Sequence, residues 1–339
     1  MSARDDLIKV LNGDEPDTTP LSIYSSLMPD ADVTALIEKG LLLTPHVEMV
    51  KIVDRGVEKQ TVERRENGRV CVRQRLTTPV GAVEQEWTDS WRSEHLVKEP
   101  RDYKVLQWIV EHWELQPNYE EFLAQEKQVG ERGLVIGTAG RTPAQKINVD
   151  WAGTEKFCLD IGSEVAELFD LYEALKRQFI VTTRMIAEGP GRFIKLWENL
   201  TVSMFGPQRY RKLLAPIYEI CAPILEHSGK RLMVHYDGAL SPISGDIAAA
   251  PFHVVESLTE PPEGDMTYDQ CRAAWPDKAL WCNINVALYS LPPEQFRREV
   301  IGKRMRAGKR GVAFEISEDL PKNWREAIPV ALEALQSCG

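Results

Sequence analysis

The sequence predicts an α/β protein, a single (β/α)8 barrel of the TIM type with a β-hairpin insertion in its N-terminal half. Three observations carry that expectation. From residue 192 onward, short apolar runs rich in β-branched residues alternate with helix-patterned stretches, the mark of βα units around a parallel sheet. Each unit takes about 25–35 residues, a length that suits a barrel. Between residues 46 and 94 the pattern changes to alternating residues around two turn signals, as hairpins require. The 339 residues contain no low-complexity segment and no repeat beyond the βα alternation, so 1–339 is expected to be one domain holding an insertion at 46–94.

Taken in order, residues 20–24 (PLSIY) supply a first barrel strand. The insertion follows, turning at Glu66-Asn67-Gly68 and at Thr78-Pro79-Val80-Gly81, and is expected to cover one end of the barrel. Residues 133–138 (GLVIGT) return to a barrel strand. The glycines of 133–140 match neither Gly-x-Gly-x-x-Gly nor the P-loop, so close backbone packing is expected there rather than a phosphate cradle. Strands at 192–198 (RFIKLWE), 231–236 (RLMVHY), 253–257 (HVVES), 279–285 (ALWCNIN) and 311–316 (GVAFEI) complete the set. Helices at 206–228, 244–250, 268–275, 293–307 and 324–336 lie between and after them. Seven strands are placed in this way. The eighth has no candidate.

The formal net charge of −10 argues against non-specific nucleic-acid binding, which needs a positive field. Lys303, Arg304, Arg306, Lys309 and Arg310 read as the solvated last turn of a helix, where cations favour the dipole. No apolar run approaches the ~20 residues that span a bilayer. The opening MSARDDLIKV lacks the apolar core of a signal peptide, so a cytoplasmic protein is expected. Six cysteines without a Cys-x-x-Cys pair are expected to be reduced and mostly buried, Cys282 among them. Trp87, Trp91, Trp108 and Trp113 read as core or cover residues, with a flat apolar ligand as the alternative. No Gly-x-Ser-x-Gly elbow supports serine hydrolysis.

In a parallel barrel the C-terminal strand ends converge on one rim, where active sites form. Those ends hold Glu198 and Asn199, His235 and Asp237, Glu256, Asn283 and Asn285, and Glu315. A buried carboxylate is costly unless paired or metal-bound, so acids repeated at successive strand ends call for a reason. Residues i and i+2 of a strand share a face, which lets His235 and Asp237 approach one ion together. With Glu256 and Glu315 they form a set suited to a divalent metal such as zinc, manganese or iron. The alternative is that His235 donates to Asp237 or a carbonyl while Glu256 pairs with an arginine.

Several motifs resemble the uroporphyrinogen decarboxylase-like superfamily, which includes the cobalamin-dependent methyltransferases. They are LIKVLNGDEPDTTPLSIY (7–24), WENL (197–200), MFGPQRYRKLLAPIY (204–218), GKRLMVHYDG (229–238), FHVVESLTEPPEGD (252–265) and LWCNIN (280–285). The resemblance spans most of the chain and implies a single barrel. The methyltransferase branch binds zinc through His-x-Cys, a downstream Glu and a second Cys. Here His235 and Glu256 match, Asp237 replaces the first cysteine, and Glu315 falls near the place of the second. Carboxylates in place of thiolates make a harder, more Lewis-acidic ion, better suited to polarising oxygen than to thiol methylation. The segment SIYSSLMPDADV (22–33) lacks the arginines with which the true decarboxylases clamp a porphyrin.

The expectation is therefore an enzyme that moves a methyl group from a small methylated substrate to the corrinoid of a separate partner protein. The resemblance implies a divalent metal, zinc first, on His235, Asp237, Glu256 and Glu315. Glu198, Asn199 and Asp237 would take the catalytic roles, and Tyr24, Asn283 and Asn285 would bind substrate. A cofactor-free decarboxylase using Glu198 or Asp237 as its acid, and a non-catalytic binding module, are the alternatives. A homodimer is compatible with the surface pattern.

Overall fold

The computed structural model describes residues 2–28 and 33–338; residues 29–32 of the arginine-free segment lie outside that range. The strands are β1 (Leu21–Tyr24), β2 (Leu41–Thr44), β3 (His46–Glu48), β4 (Val50–Asp54), β5 (Glu58–Glu66), β6 (Arg69–Thr78), β7 (Gly81–Thr88), β8 (Trp91–Glu94), β9 (Trp113–Pro117) and β10 (Ile136–Thr138). They continue as β11 (Phe193–Leu196), β12 (Arg231–His235), β13 (Val254–Leu258), β14 (Ala279–Asn283) and β15 (Val312–Ile316). Nine of them form one sheet in the order β2-β1-β15-β14-β13-β12-β11-β10-β3, paired in parallel throughout.

The two ends of that order, β2 and β3, are separated only by Pro45. They act as one kinked stave, so the barrel has eight. The upper and lower parts of the stave pair with different neighbours, β2 with β1 and β3 with β10. Proline has no N–H to give a ladder, but its carbonyl still accepts from Ile136 N at 2.9 Å. This is the strand that sequence patterning leaves unplaced. Its first half is an apolar run, and the proline breaks the run where hairpin signals begin.

Successive side chains of a strand point to opposite faces. Phe193 belongs to the barrel's interior cluster while Ile194 and Leu196 join the outer core against the helices. The interior floor is apolar: Ile136, Phe193, Met233, Val254, Trp281 and Ala313. The helix Ala3–Leu11, started by a Ser2 capping box, plugs it with Leu7, Val10 and Leu11. Two residues further along each strand, toward the C-terminal ends, the inward positions become Lys195, His235, Glu256, Asn283 and Glu315. An apolar base thus carries a polar tier.

Between β3 and β10 lies the insertion. It starts later than expected, because His46–Glu48 belongs to the barrel, and it holds more than hairpins. β5 to β8 form a four-stranded antiparallel sheet, and β4 pairs with β9 as a ribbon. The first expected turn lies at Asn67-Gly68, both at positive φ (52° and 80°), which Asn-Gly adopts readily. The helix Pro100–Glu111 packs between this sheet and the long helix Ala166–Glu188. Arg92 fastens the sheet to the segment after β10, donating to the carbonyls of Val149 (3.0 Å) and Asp150 (2.5 Å). Among the described residues, no helix is long and apolar enough to cross a membrane.

Candidate active site

The polar tier forms a connected cluster. His235 Nδ1 lies 2.8 Å from Glu256 Oε2 and 3.2 Å from the Tyr24 hydroxyl. Lys195 Nζ donates to Glu256 Oε1 (2.9 Å) and to the Tyr24 oxygen (2.7 Å), and the Tyr24 hydroxyl donates to Glu256. The lysine is fully buried, 3.7 Å from the Trp197 ring centroid and 4.2 Å from that of Tyr24. On the other side of the imidazole, Nε2 faces Asp237 Oδ2 at 3.5 Å. Asn199, at φ 44°, donates to Asp237 (3.1 Å) and accepts from Arg141 (2.8 Å).

Charge is distributed unevenly through this cluster. Burial works against the ionised form of Glu256, but Lys195 and His235 overcome it and hold the carboxyl well below its usual range. Burial also opposes charge on His235; Glu256 and Asp237 nevertheless raise it to about 9. Lys195 is lowered by burial, an effect its acidic neighbours oppose. Glu315 is pushed well above the usual range by burial and by Glu256. One of its oxygens accepts from Ser257 N at 2.9 Å and the other has no partner among the described residues. Glu315 is thus the member of the pair that holds its proton more tightly, as expected when two carboxyls share a buried site.

The expected four-ligand metal set is revised. Among the described residues, the group whose ligand atoms come within 4.8 Å of one another is His235, Asp237 and Glu318. Glu256 instead binds the imidazole nitrogen on the opposite side, and Glu315 lies behind Glu256 in contact with Ser257. Glu318 extends from the loop after β15 and accepts from Ser257 Oγ at 3.1 Å. Burial, then the Asp237 charge, raises its pKa. Two carboxylates and an imidazole whose ligand atoms lie within 4.8 Å of one another suit a cation. A carboxylate on the far nitrogen is the arrangement that fixes a ligating histidine's tautomer. The donor set therefore fits a divalent metal, with Glu256 as the support of a ligand rather than a ligand.

No family model and no curated protein sequence matches the chain. Among solved structures, a methyltransferase from Methanosarcina mazei superposes with a TM-score of 0.59 over 99% of each chain, at 12% identity. What the two chains share is the fold. A glycoside hydrolase family 5 enzyme from Prevotella bryantii B14 gives 0.47 at 10% identity, covering 98% of this chain and 97% of that one. A B12-independent methionine synthase from Shewanella sp. W3-18-1 gives 0.43 at 10%, covering 96% and 93%.

The remaining expected site residues are placed as follows. Glu198 faces outward, since Lys195 and Trp197 take the inner positions of its segment. It accepts from Thr142 (2.9 Å) and Tyr218 (3.1 Å) behind the wall, and burial raises it to about 7. It does not meet the cluster. Tyr24 is tied into the cluster through its hydroxyl and presents no free group to a substrate. Asn283 shares the inward tier in register with Glu315, its amide 3.5 Å from Thr259 Oγ1. Asn285 lies past the strand end, bonded to Lys303 Nζ (2.5 Å) and to the Glu260 carbonyl (3.0 Å). Lys303 and Arg306 both pair with Glu260 at 2.7 Å, and Arg304 is buried against Thr19. Much of the expected solvated helix end is therefore a buried ion-pair knot.

Sequence reasoning missed Lys195, Trp197, Glu318 and Arg141. The first two carried a signal, a lysine at an inner position of RFIKLWE with an aromatic two residues on. Of the four tryptophans near the insertion, Trp113 lines a cleft beside the mouth, whereas Trp91 is 80% exposed. Gly133 packs as expected: a Cβ there would stand 1.9 Å from the Leu43 carbonyl oxygen. All six cysteines are free and Cys282 is buried.

Proposed function

We propose that this chain is a methyltransferase-like enzyme whose divalent metal, zinc first, is held by His235, Asp237 and Glu318 at the barrel mouth. The observation that carries the reading is the grouping of His235, Asp237 and Glu318, with His235 Nδ1 committed to Glu256 and Nε2 facing Asp237. Such a metal supplies Lewis acidity at the heteroatom of a small methylated substrate. The methyl acceptor is the corrinoid of a separate partner protein docking over the mouth.

The chain's own residues do the positioning. Glu256 holds the imidazole, and Lys195 balances the charge of Glu256, so the acid stays ionised although buried. Tyr24, His46 and Trp197 form an aromatic wall, with Tyr24–His46 and His46–Trp197 ring centroids 4.5 and 4.9 Å apart, which keeps water from the base of the site. Asn199 fixes Asp237. Neither acid expected for decarboxylation is suited to it, because Glu198 faces away from the mouth and His235 and Asn199 hold Asp237 below its usual range despite burial.

Two measurements test the proposal. Protein purified without chelator or polyhistidine tag should contain about one metal ion per chain, and Glu256→Gln should weaken zinc binding by roughly 10–100-fold. Zinc-loaded protein should also run the reverse reaction, removing the methyl group of methylcobalamin in the presence of an amine, thiol or phenol acceptor. Absence of turnover with all three acceptors, or equal rates in His235→Ala, would refute the reading.

A further inference from the structure

Beside the mouth, a cleft of about 610 Å³ lies between the β4–β9 ribbon and the helix Ala166–Glu188. Sites for small molecules run from roughly 300 to 1,000 Å³ and are mostly apolar with a few placed polar groups. The apolar part of this cleft's lining is formed by Val50, Val53, Trp113, Leu175, Phe179 and Trp197. The polar part includes Arg141 and Lys146, which share Asp150 at 3.5 and 3.4 Å. Lys51 adds a third cation to the lining, and Glu48 is its remaining acid. Burial raises the pKa of Glu48, so the positive excess persists whatever its state.

The Arg141 side chain is only partly satisfied. One guanidinium nitrogen donates to Asn199, while Nε is buried without a partner among the described residues. Nη1 reaches Asp150 only at 3.5 Å, so the guanidinium keeps donor capacity on the side it shares with Lys146, and a carboxylate matches that pair of cations. The cleft borders the proposed metal site. Trp197 lines the cleft, with its ring centroid 5.5 Å from that of His235, and Asn199 joins Arg141 to Asp237.

We propose that the cleft binds the substrate as a monocarboxylate with an apolar body. The carboxylate lies on Arg141 and Lys146, and the body lies against Trp113, Leu175 and Phe179 with one end at Trp197. This names the substrate class of the proposed function and rests on that reading only for the occupant being the substrate. Binding itself requires no metal.

The test is calorimetric titration of metal-free protein with three probes of one shape: 2-naphthoate, 2-naphthamide and 2-naphthyl phosphate. The carboxylate should bind at least tenfold more tightly than the amide. Arg141→Gln should bring the two within about twofold and leave the amide affinity unchanged. Lys146→Gln should reduce the same preference, and it carries the test if Arg141→Gln does not fold. Equal affinity of carboxylate and amide, binding of neither at millimolar concentration, tighter binding of the phosphate, or a preference that survives both substitutions overturns the proposal. Metal content measured on the same protein before the metal is removed separates the two readings. Preference without metal sinks only the methyltransferase reading, and metal without preference sinks only this one.

Discussion

Lys195 is an ammonium with no solvent exposure, and its charge is met by Glu256 and by the faces of Tyr24 and Trp197. Taking one partner from a buried ion pair leaves the other uncompensated, which costs about 3–5 kcal/mol. Lys195→Met should lose stability on that scale in urea denaturation; a loss below about 1 kcal/mol would mean that Glu256 is held by His235 alone. Glu198 makes a separate prediction. Its folded pKa of about 7 stands above the ordinary 4.5. The folded state therefore holds the proton more tightly, and this contribution to stability is full below 4.5 and lost as pH rises through about 7. At about 1.36 kcal/mol per unit the effect is roughly 3 kcal/mol. Glu198→Gln, neutral at every pH, should gain on the wild type by up to that amount between pH 4 and pH 8. A constant gap across that range would show that folding does not raise the pKa of this carboxyl.

At the level of elements, the decisive junction is the kinked stave β2–β3 against β10. Closure depends on the backbone approaching at Gly133, whose missing Cβ would meet the Leu43 carbonyl oxygen at 1.9 Å. Overpacking typically costs about 1–3 kcal/mol, more where backbone must move. Gly133→Ala should therefore destabilise at or above the top of that range. Gly162, at the end of the helix Thr154–Gly162, has nothing within 4 Å of the place a Cβ would take, and Gly162→Ala should be neutral or stabilising by roughly 0.5–1 kcal/mol. Equal denaturation midpoints for the two variants would show that the seam is not a point of closure. Seven of the eight staves are readable locally, because strands buried on both faces are continuous apolar runs. The eighth is hidden by Pro45, whose lost N–H is tolerated at a kink where the stave changes partner.

Over the whole molecule, the barrel is a container closed at its base by the helix Ala3–Leu11. Leu7 is fully buried among strand residues drawn from positions 42 to 313. Leu7→Ala should cost about 2–5 kcal/mol, the usual penalty for an unfilled core cavity. If the interior floor is held together through this plug, the loss should appear in the single unfolding transition, measured by circular dichroism, rather than as separate fraying of the N-terminus. The same closure places the polar tier between an apolar floor and an open mouth, where low dielectric strengthens each charge interaction.

The sequence by itself determined the βα alternation, the hairpin turns and the acids and histidine at the strand ends, since each depends on near neighbours and on the two-residue period of a strand. Tertiary structure alone decided that Glu256 supports His235 while Glu318 stands in front of it, that Glu198 faces away, and that Arg141 reaches Asp237 through Asn199. Those relations join residues tens of positions apart. They are fixed by barrel register and closure, which no local pattern encodes.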